Sequence, residues 1–315
     1  MINRRSFIVG IKSTTLKVHE KYFLKKYKPW GVILFTRNIQ TIEQTRKLTN
    51  SIKKIFKDSN YPILIDQEGG KVDRLKKILN SSIFTAEFFG NLYKKNINEF
   101  KIYYKIFIKQ TSYLLNKIGV NINTVPVLDV RRANSNKIIG DRSFSSNTKI
   151  VSKIGTFCIN EFKNNNIGTI MKHIPGHGLA KVDSHKSTPI VNSKFNTLNK
   201  YDFFPFKNKK AIFAMTAHII YKNIDKKFPT THSKKVIRLI REKIKYKNLI
   251  ISDDISMKGL QFSIKANTLK AFEAGCDLVL HCNAKYNEMI IVAKNSPKIS
   301  KFIIKKTSQF YKILS

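Results

Sequence analysis

The sequence predicts an α/β protein built as a single (β/α)8 TIM barrel, on three observations. Eight short runs are apolar on both faces, helical patterns alternate with them, and the whole occupies roughly the 300 residues that such a barrel needs. Strands covered on both sides read as continuous apolar runs, whereas a half-exposed antiparallel sheet would alternate. A doubly wound open sheet is the structural alternative, because eight short apolar runs could also build one. In chain order the strands are Phe7–Val9, Gly31–Phe35, Pro62–Ile65, Asn121–Val125, Ile167–Met171, Ala211–Thr216, Leu249–Ser252 and Asp277–Leu280. Helical patterns cover Thr41–Phe56, Glu87–Lys117, Thr148–Lys163, Ser233–Lys243, Ser263–Ala274 and Lys298–Ile313. In Ser263–Ala274 the residues Ala266, Leu269 and Phe272 share one face through successive i, i+3 steps, and Gly275 supplies the stop. No internal repeat, low-complexity tract or Pro/Gly-rich linker interrupts the chain, so one domain over residues 1–315 is the economical expectation.

Composition narrows the class. A hydrophobic share of 42% supplies a core, and no uncharged apolar run reaches the length of a membrane span. Three cysteines, Cys158, Cys276 and Cys282, stand at no metal-ligand spacing and cannot all pair, which fits a reducing compartment. Lys+Arg 59 against Asp+Glu 20 gives a net charge of +39. The basic residues are spread along the chain instead of forming one stripe, so we expect no specific nucleic-acid partner. Asn3-Arg4-Arg5-Ser6-Phe7-Ile8 faintly resembles a twin-arginine signal. The apolar stretch behind it ends at Lys12, too short for an export signal, and it reads as the first strand. A cytoplasmic protein with no membrane partner is the expectation.

A barrel places its chemistry just after the C-terminal ends of its strands. There the sequence carries Thr36-Arg37-Asn38, then Asp66-Gln67-Glu68-Gly69-Gly70-Lys71-Val72-Asp73-Arg74, then Asp129 and Gly140-Asp141-Arg142-Ser143-Phe144. Lys172-His173-Ile174-Pro175-Gly176-His177-Gly178 follows, running on to Asp183-Ser184-His185. His218, Asp253-Asp254, and His281 with Asn283 complete the set. Charged groups converging on one rim point to a site for a polar ligand.

Three of these segments can be read from their residue types. Gly69-Gly70 allows a sharp turn that lets Asp66 and Arg74 project into one pocket, an acceptor facing a donor as a hydroxyl-rich substrate requires; the plain alternative is a loop ion pair. The fifth loop, with His173, His177, Asp183 and His185, has the residue types of a zinc site. However, Pro175, Gly176 and Gly178 disfavour the helix that would put two histidines on one face. Asp183 and His185 instead read as an acid–base pair, in which the carboxylate orients the imidazole and stabilises its protonated form. Of Asp253 and Asp254, neighbours in an extended segment, only one can face the barrel mouth. A divalent cation on the pair is the lesser alternative to a nucleophile or charge stabiliser.

These motifs together resemble the bacterial β-N-acetylglucosaminidases of glycoside hydrolase family 3, the peptidoglycan-recycling type. The likeness rests on Ile65-Asp66-Gln67-Glu68-Gly69-Gly70-Lys71-Val72, Lys172–Gly178, Asp183-Ser184-His185 and Ser252-Asp253-Asp254-Ile255-Ser256-Met257. Gly31–Asn38, Arg142-Ser143-Phe144, Met215-Thr216-Ala217-His218 and Ala274-Gly275-Cys276-Asp277 follow the same pattern, in order over about residues 7–283.

The resemblance implies retaining hydrolysis of a terminal β-linked N-acetylglucosamine from muropeptide fragments, by a monomer needing neither metal nor organic cofactor. It implies that Asp253 is the nucleophile, that His185 oriented by Asp183 is the acid/base, and that Asp66, Arg74, Arg142, Lys172 and His173 bind the sugar. Lys71, where arginine is usual, and Ile174, where an aromatic is common, depart from the pattern, as does the short lysine-rich stretch Asn192–Lys210. Two alternatives stay open. One is a phosphorylase of the same family, since a histidine acid/base does not repel phosphate; the distant one is a nucleic-acid-binding protein.

Overall fold

The computed structural model describes residues 3–132, 139–184 and 186–314. Its eight principal strands are β1 (Arg5–Gly10), β2 (Pro29–Leu34), β3 (Ile63–Ile65), β4 (Ile122–Asn123), β5 (Gly168–Ile174), β6 (Phe213–Thr216), β7 (Leu249–Asp254) and β8 (Leu278–His281). Each pairs in parallel with the next, and β8 returns to β1 with Val9 opposite His281, so the sheet closes into a barrel. Closure explains the unbroken apolar runs. One face of each strand fills the barrel and the other packs under helices, so both faces leave water.

Ile8, Ile33, Leu64, Ile170, Phe213 and Leu278 belong to the cluster that fills the interior. One end of that interior is sealed by the helix Lys301–Tyr311. Its Phe310 packs edge-on against Phe213 at 5.5 Å, and its Thr307 hydroxyl accepts from the Trp30 indole at 2.9 Å. Burying the Phe310 ring stabilises this seal by about 2–3 kcal/mol. Access is therefore left at the other end, where the strands terminate in polar residues.

The helices differ from the sequence expectation in three ways. Glu87–Lys117 is two helices, Ala86–Lys95 and Ile97–Lys117. Asn96 adopts an extended conformation between them, and its side chain caps the second by accepting from the amides of Asn98 and Glu99. Ile264–Ala274 turns Asn267, Thr268, Ala271 and Ala274 inward, so the face that Ala266, Leu269 and Phe272 share is not the buried one. Asn267 decides that face, because its amide donates to the carbonyls of Ile255 and Phe262 and so ties the helix to the loop after β7. Helices Val18–Tyr27 and Tyr286–Asn295 were not predicted. The first is lysine-rich with no strong apolar stripe; the buried Glu20 carboxylate anchors it by accepting from the Lys12 and Lys17 amides, each at 2.9 Å. A second, two-stranded sheet pairs Ile190–Val191 with Ile220–Tyr221 and joins the loops after β5 and β6 over the barrel mouth.

Candidate active site

The segment after β3 is fixed before any ligand contact is considered. Gln67 exchanges two backbone–side-chain hydrogen bonds with Asn123 of β4, at 2.9 and 2.8 Å. Its own amide side chain donates to Asp73 and Ser81 and accepts from the backbone amides of Arg74 and Leu75. Gly69 and Gly70 both take positive φ, 86° and 59°, and a Cβ on Gly69 would lie 2.4 Å from the Phe84 carbonyl oxygen. Only glycine fits that turn, and the turn carries Arg74 back beside Asp66.

Two buried carboxylates and three cations then interlock. Arg142 grips Glu68 with both arms of its guanidinium, each at 2.8 Å. The Lys172 ammonium lies 2.6 Å from Glu68, 3.3 Å from Asp66 and 2.8 Å from the Thr124 hydroxyl. Asp66 also accepts from that hydroxyl and stands 3.5 Å from Arg74. Burial alone pushes the Asp66 carboxyl up, but Lys172 and Arg74 outweigh it and hold the group well below the usual carboxylate range. Glu68 is likewise raised by burial and brought down to about 2 by Arg142 and Lys172.

A second cluster forms around Asp129, whose side chain is wholly buried. It accepts from the backbone amides of His173 and His177, at 3.2 and 2.6 Å, and meets His173 Nδ1 at 2.7 Å. An ionised carboxylate only accepts, so Nδ1 carries the proton, and Nε2 faces Asp253 at 4.0 Å. His177 Nε2 reaches the Ser184 hydroxyl at 3.4 Å. Burial lowers His177 to about 4 despite Asp129, which leaves it neutral at neutral pH.

Asp253 and Asp254, at the end of β7, divide as neighbours on a strand must. Asp254 is taken up by the loop, accepting from the Ser256 amide and hydroxyl and the Cys282 amide. Asp253 opens into the cavity, its Oδ1 accepting from the Asp254 amide at 2.8 Å. Burial pushes the Asp253 carboxyl up, but His218, His173, the Asp254 amide and Lys172 reverse this and bring it below its ordinary value. It is ionised at neutral pH. His218 is itself held between the Thr231 hydroxyl, at 2.7 Å, and the Asp254 carbonyl, at 3.0 Å.

Asp66, Glu68, Arg74, Arg142, Lys172, His173, His177 and Asp253 wall one cleft that opens to solvent. Of the residues expected from sequence, Asp66, Arg74, Arg142, Lys172, His173 and Asp253 all line it. Asp183 does not line it, but the adjoining Ser184 does, and the Lys186 and Ser187 amides donate to the Asp183 carbonyl in a tight turn. His185 lies outside the described residues. Among the described residues no three His, Cys, Asp or Glu side chains are grouped so as to hold a metal ion. Lys71, the departure from arginine, is exposed and stands 3.4 Å from Asp141.

Glu68, Asp129, His177 and His218 stand among the polar rim residues read from sequence, which assigned none of them a catalytic or sugar-binding role. A signal existed for Glu68: two positions beyond Asp66 on a strand-like segment, it projects to the same side. For Asp129 the rim position was legible, but not its partners, which lie 44 and 48 positions downstream.

The model of the glycosyl hydrolase family 3 N-terminal domain matches residues 8–307. Beta-hexosaminidase of Hydrogenovibrio crunogenus is 33% identical over 283 residues, covering 88% of this chain and 78% of that protein. Beta-hexosaminidase A of Pseudoalteromonas piscicida is 30% identical over 311 residues, covering 92% of this chain, which spans half of that longer protein. Among solved structures, NagZ from Neisseria gonorrhoeae in complex with N-trifluoroacetyl-D-glucosamine superposes with a TM-score of 0.83 at 26% identity, over 99% of this chain and 96% of that one.

Proposed function

The chain belongs to glycosyl hydrolase family 3 and is a glycoside hydrolase, and on that premise we propose that it is a retaining exo-β-N-acetylglucosaminidase acting on peptidoglycan turnover fragments. The observation that carries this reading is the ionised Asp253 carboxylate, open to a cleft that it shares with Asp66, Glu68, Arg74, Arg142, Lys172 and His173. Such a carboxylate attacks the anomeric carbon and forms a glycosyl-aspartate, dividing one difficult displacement into two. His173 and Lys172 help keep it anionic without forming a close ion pair with it, since the nearest imidazole nitrogen is 4.0 Å away. Its lone pairs stay available to the substrate.

The two faces of the sugar require different groups. Asp66, Arg74, Arg142 and Lys172 offer acceptors and donors for ring hydroxyls, and because Glu68 fixes two of the three cations, they are in place before substrate arrives. On the leaving-group side His185, oriented by Asp183, first protonates the departing oxygen and then takes a proton from water. The position of Ser184 on the cleft wall supports this assignment, because in the chain it lies between the two residues. The relatives' names, Beta-hexosaminidase, support the substrate class.

The test is cleavage of an aryl β-N-acetylglucosaminide beside the corresponding glucoside, with and without phosphate. The expected result is release of free N-acetylglucosamine, at least about tenfold preferred over glucose and indifferent to phosphate. Sugar 1-phosphate as product, with strong stimulation by phosphate, would overturn hydrolysis.

A further inference from the structure

The two helices that follow β3, Ala86–Lys95 and Ile97–Lys117, carry a surface the proposed activity does not use. Eight of the eighteen large hydrophobic side chains exposed among the described residues lie between Leu79 and Tyr113, about a tenth of the chain. Ile83 is 73% exposed, Ile102 58% and Ile106 52%. Ile102, Ile106 and Tyr113 recur at helical spacing along the outward ridge of the longer helix, opposite the buried Phe100, Tyr104 and Ile108. Beside that ridge, between the two helices and the loop before them, opens an apolar cleft of about 960 Å³ walled by Leu79, Phe84, Phe88, Phe107 and Ile106. A patch of this kind on a soluble domain marks an interaction surface.

Charge selects the occupant. Lys101, Lys105 and Lys109 run along one flank of the ridge at four-residue spacing, and Lys94 and Lys95 end the shorter helix. All five are exposed. The only acids between residues 79 and 117 are Glu87, neutralised by Arg131, and Glu99, bonded to the Asn96 side chain. A second copy would bring the same lysines face to face across a two-fold axis, in a chain already at +39. An anionic bilayer surface satisfies both halves of the pattern, with headgroups pairing the lysines while the isoleucines and aromatics enter the acyl boundary. From this juxtaposition we propose that the face formed by residues 79–113 docks the protein peripherally on anionic lipid membranes, against the sequence expectation of no membrane partner. No helix among the described residues is long and apolar enough to cross a membrane, so the contact lies in the plane of the interface.

The experiment is co-sedimentation with extruded vesicles, either phosphatidylglycerol mixed with phosphatidylcholine or phosphatidylcholine alone, at about 150 mM salt. The paired variant Ile102→Glu/Ile106→Glu is compared with Ile291→Glu/Phe302→Glu, which changes the charge equally at two exposed positions elsewhere. The expected result is binding to the anionic vesicles that falls at least about tenfold in the first variant and less than about twofold in the second. Lys101→Gln/Lys105→Gln/Lys109→Gln, which removes no apolar contact, should also lose most binding, while cleavage of an aryl glycoside stays unchanged in all three. Absence of wild-type binding, or equal losses in the two glutamate variants, would overturn the proposal. So would a concentration-dependent wild-type dimer in light scattering that Ile102→Glu/Ile106→Glu abolishes, which would assign the face to a second copy.

Discussion

Glu68→Gln isolates one charge at the centre of the cleft. The substitution keeps the side chain's shape and one acceptor but removes the negative charge that Arg142 meets twice at 2.8 Å and Lys172 once at 2.6 Å. The glutamate side chain is only 7% exposed, so solvent screens little of this interaction. Its folded value of about 2, against an ordinary value of 4.5, corresponds to about 3 kcal/mol of stability. Because the folded value is depressed, that contribution is fully present above about pH 4.5 and disappears as the pH falls through about 2. At neutral pH the variant should therefore lose about 3 kcal/mol, seen in thermal unfolding as a midpoint lower by roughly 4–5 °C. With the glutamine NH2 facing two cations, Arg142 and Lys172 shift, and the KM for an aryl β-N-acetylglucosaminide should rise roughly tenfold with a smaller change in kcat. An unchanged midpoint together with an unchanged KM would refute the reasoning, because the interlocked charges would then neither support the fold nor hold the binding groups.

Three further outcomes follow from the same geometry. Asp253→Asn should lower kcat on the order of 10³-fold or more while moving the unfolding midpoint by only a few degrees; substantial residual turnover would remove Asp253 as nucleophile. His185→Ala should slow substrates with poor leaving groups far more than activated aryl glycosides, since good leaving groups need little protonation; equal losses on both would remove the acid role. Asp202 is buried, and burial raises its carboxyl to about 6 even though Arg132, 3.2 Å away, opposes the shift. A raised carboxyl stabilises the fold below about pH 4 and loses that contribution as the pH climbs through about 6, about 3 kcal/mol in all. Asp202→Asn should flatten this decline in urea unfolding between pH 4 and 7, and identical slopes in wild type and variant would contradict it.

How far the sequence carries depends on the range of the forces involved. A strand buried on both faces must be apolar along its whole length, so all eight runs were legible in the chain, whereas the lysine-rich helix Val18–Tyr27, with no strong apolar stripe, was not. The rule that chemistry gathers at the C-terminal ends of barrel strands then placed Asp66, Arg74, Arg142, Lys172, His173 and Asp253 in one neighbourhood, and they wall one cleft. What the chain could not disclose is pairing across long separations. Asp129 looks like any loop carboxylate until the barrel brings it under His173 and His177, where two backbone amides and one imidazole fill its acceptors. Glu68 looks redundant beside Asp66 until closure brings Arg142 and Lys172, 74 and 104 positions away, onto the same oxygens. The choice between Asp253 and Asp254 has the same cause. Alternation along a strand says that one of them turns away; the Ser256 amide and hydroxyl, together with the amide of Cys282 on the neighbouring strand's loop, make that one Asp254. Periodicity is local and written in the chain; the partners of a buried charge are chosen by the fold, because leaving such a charge unpaired would cost several kcal/mol.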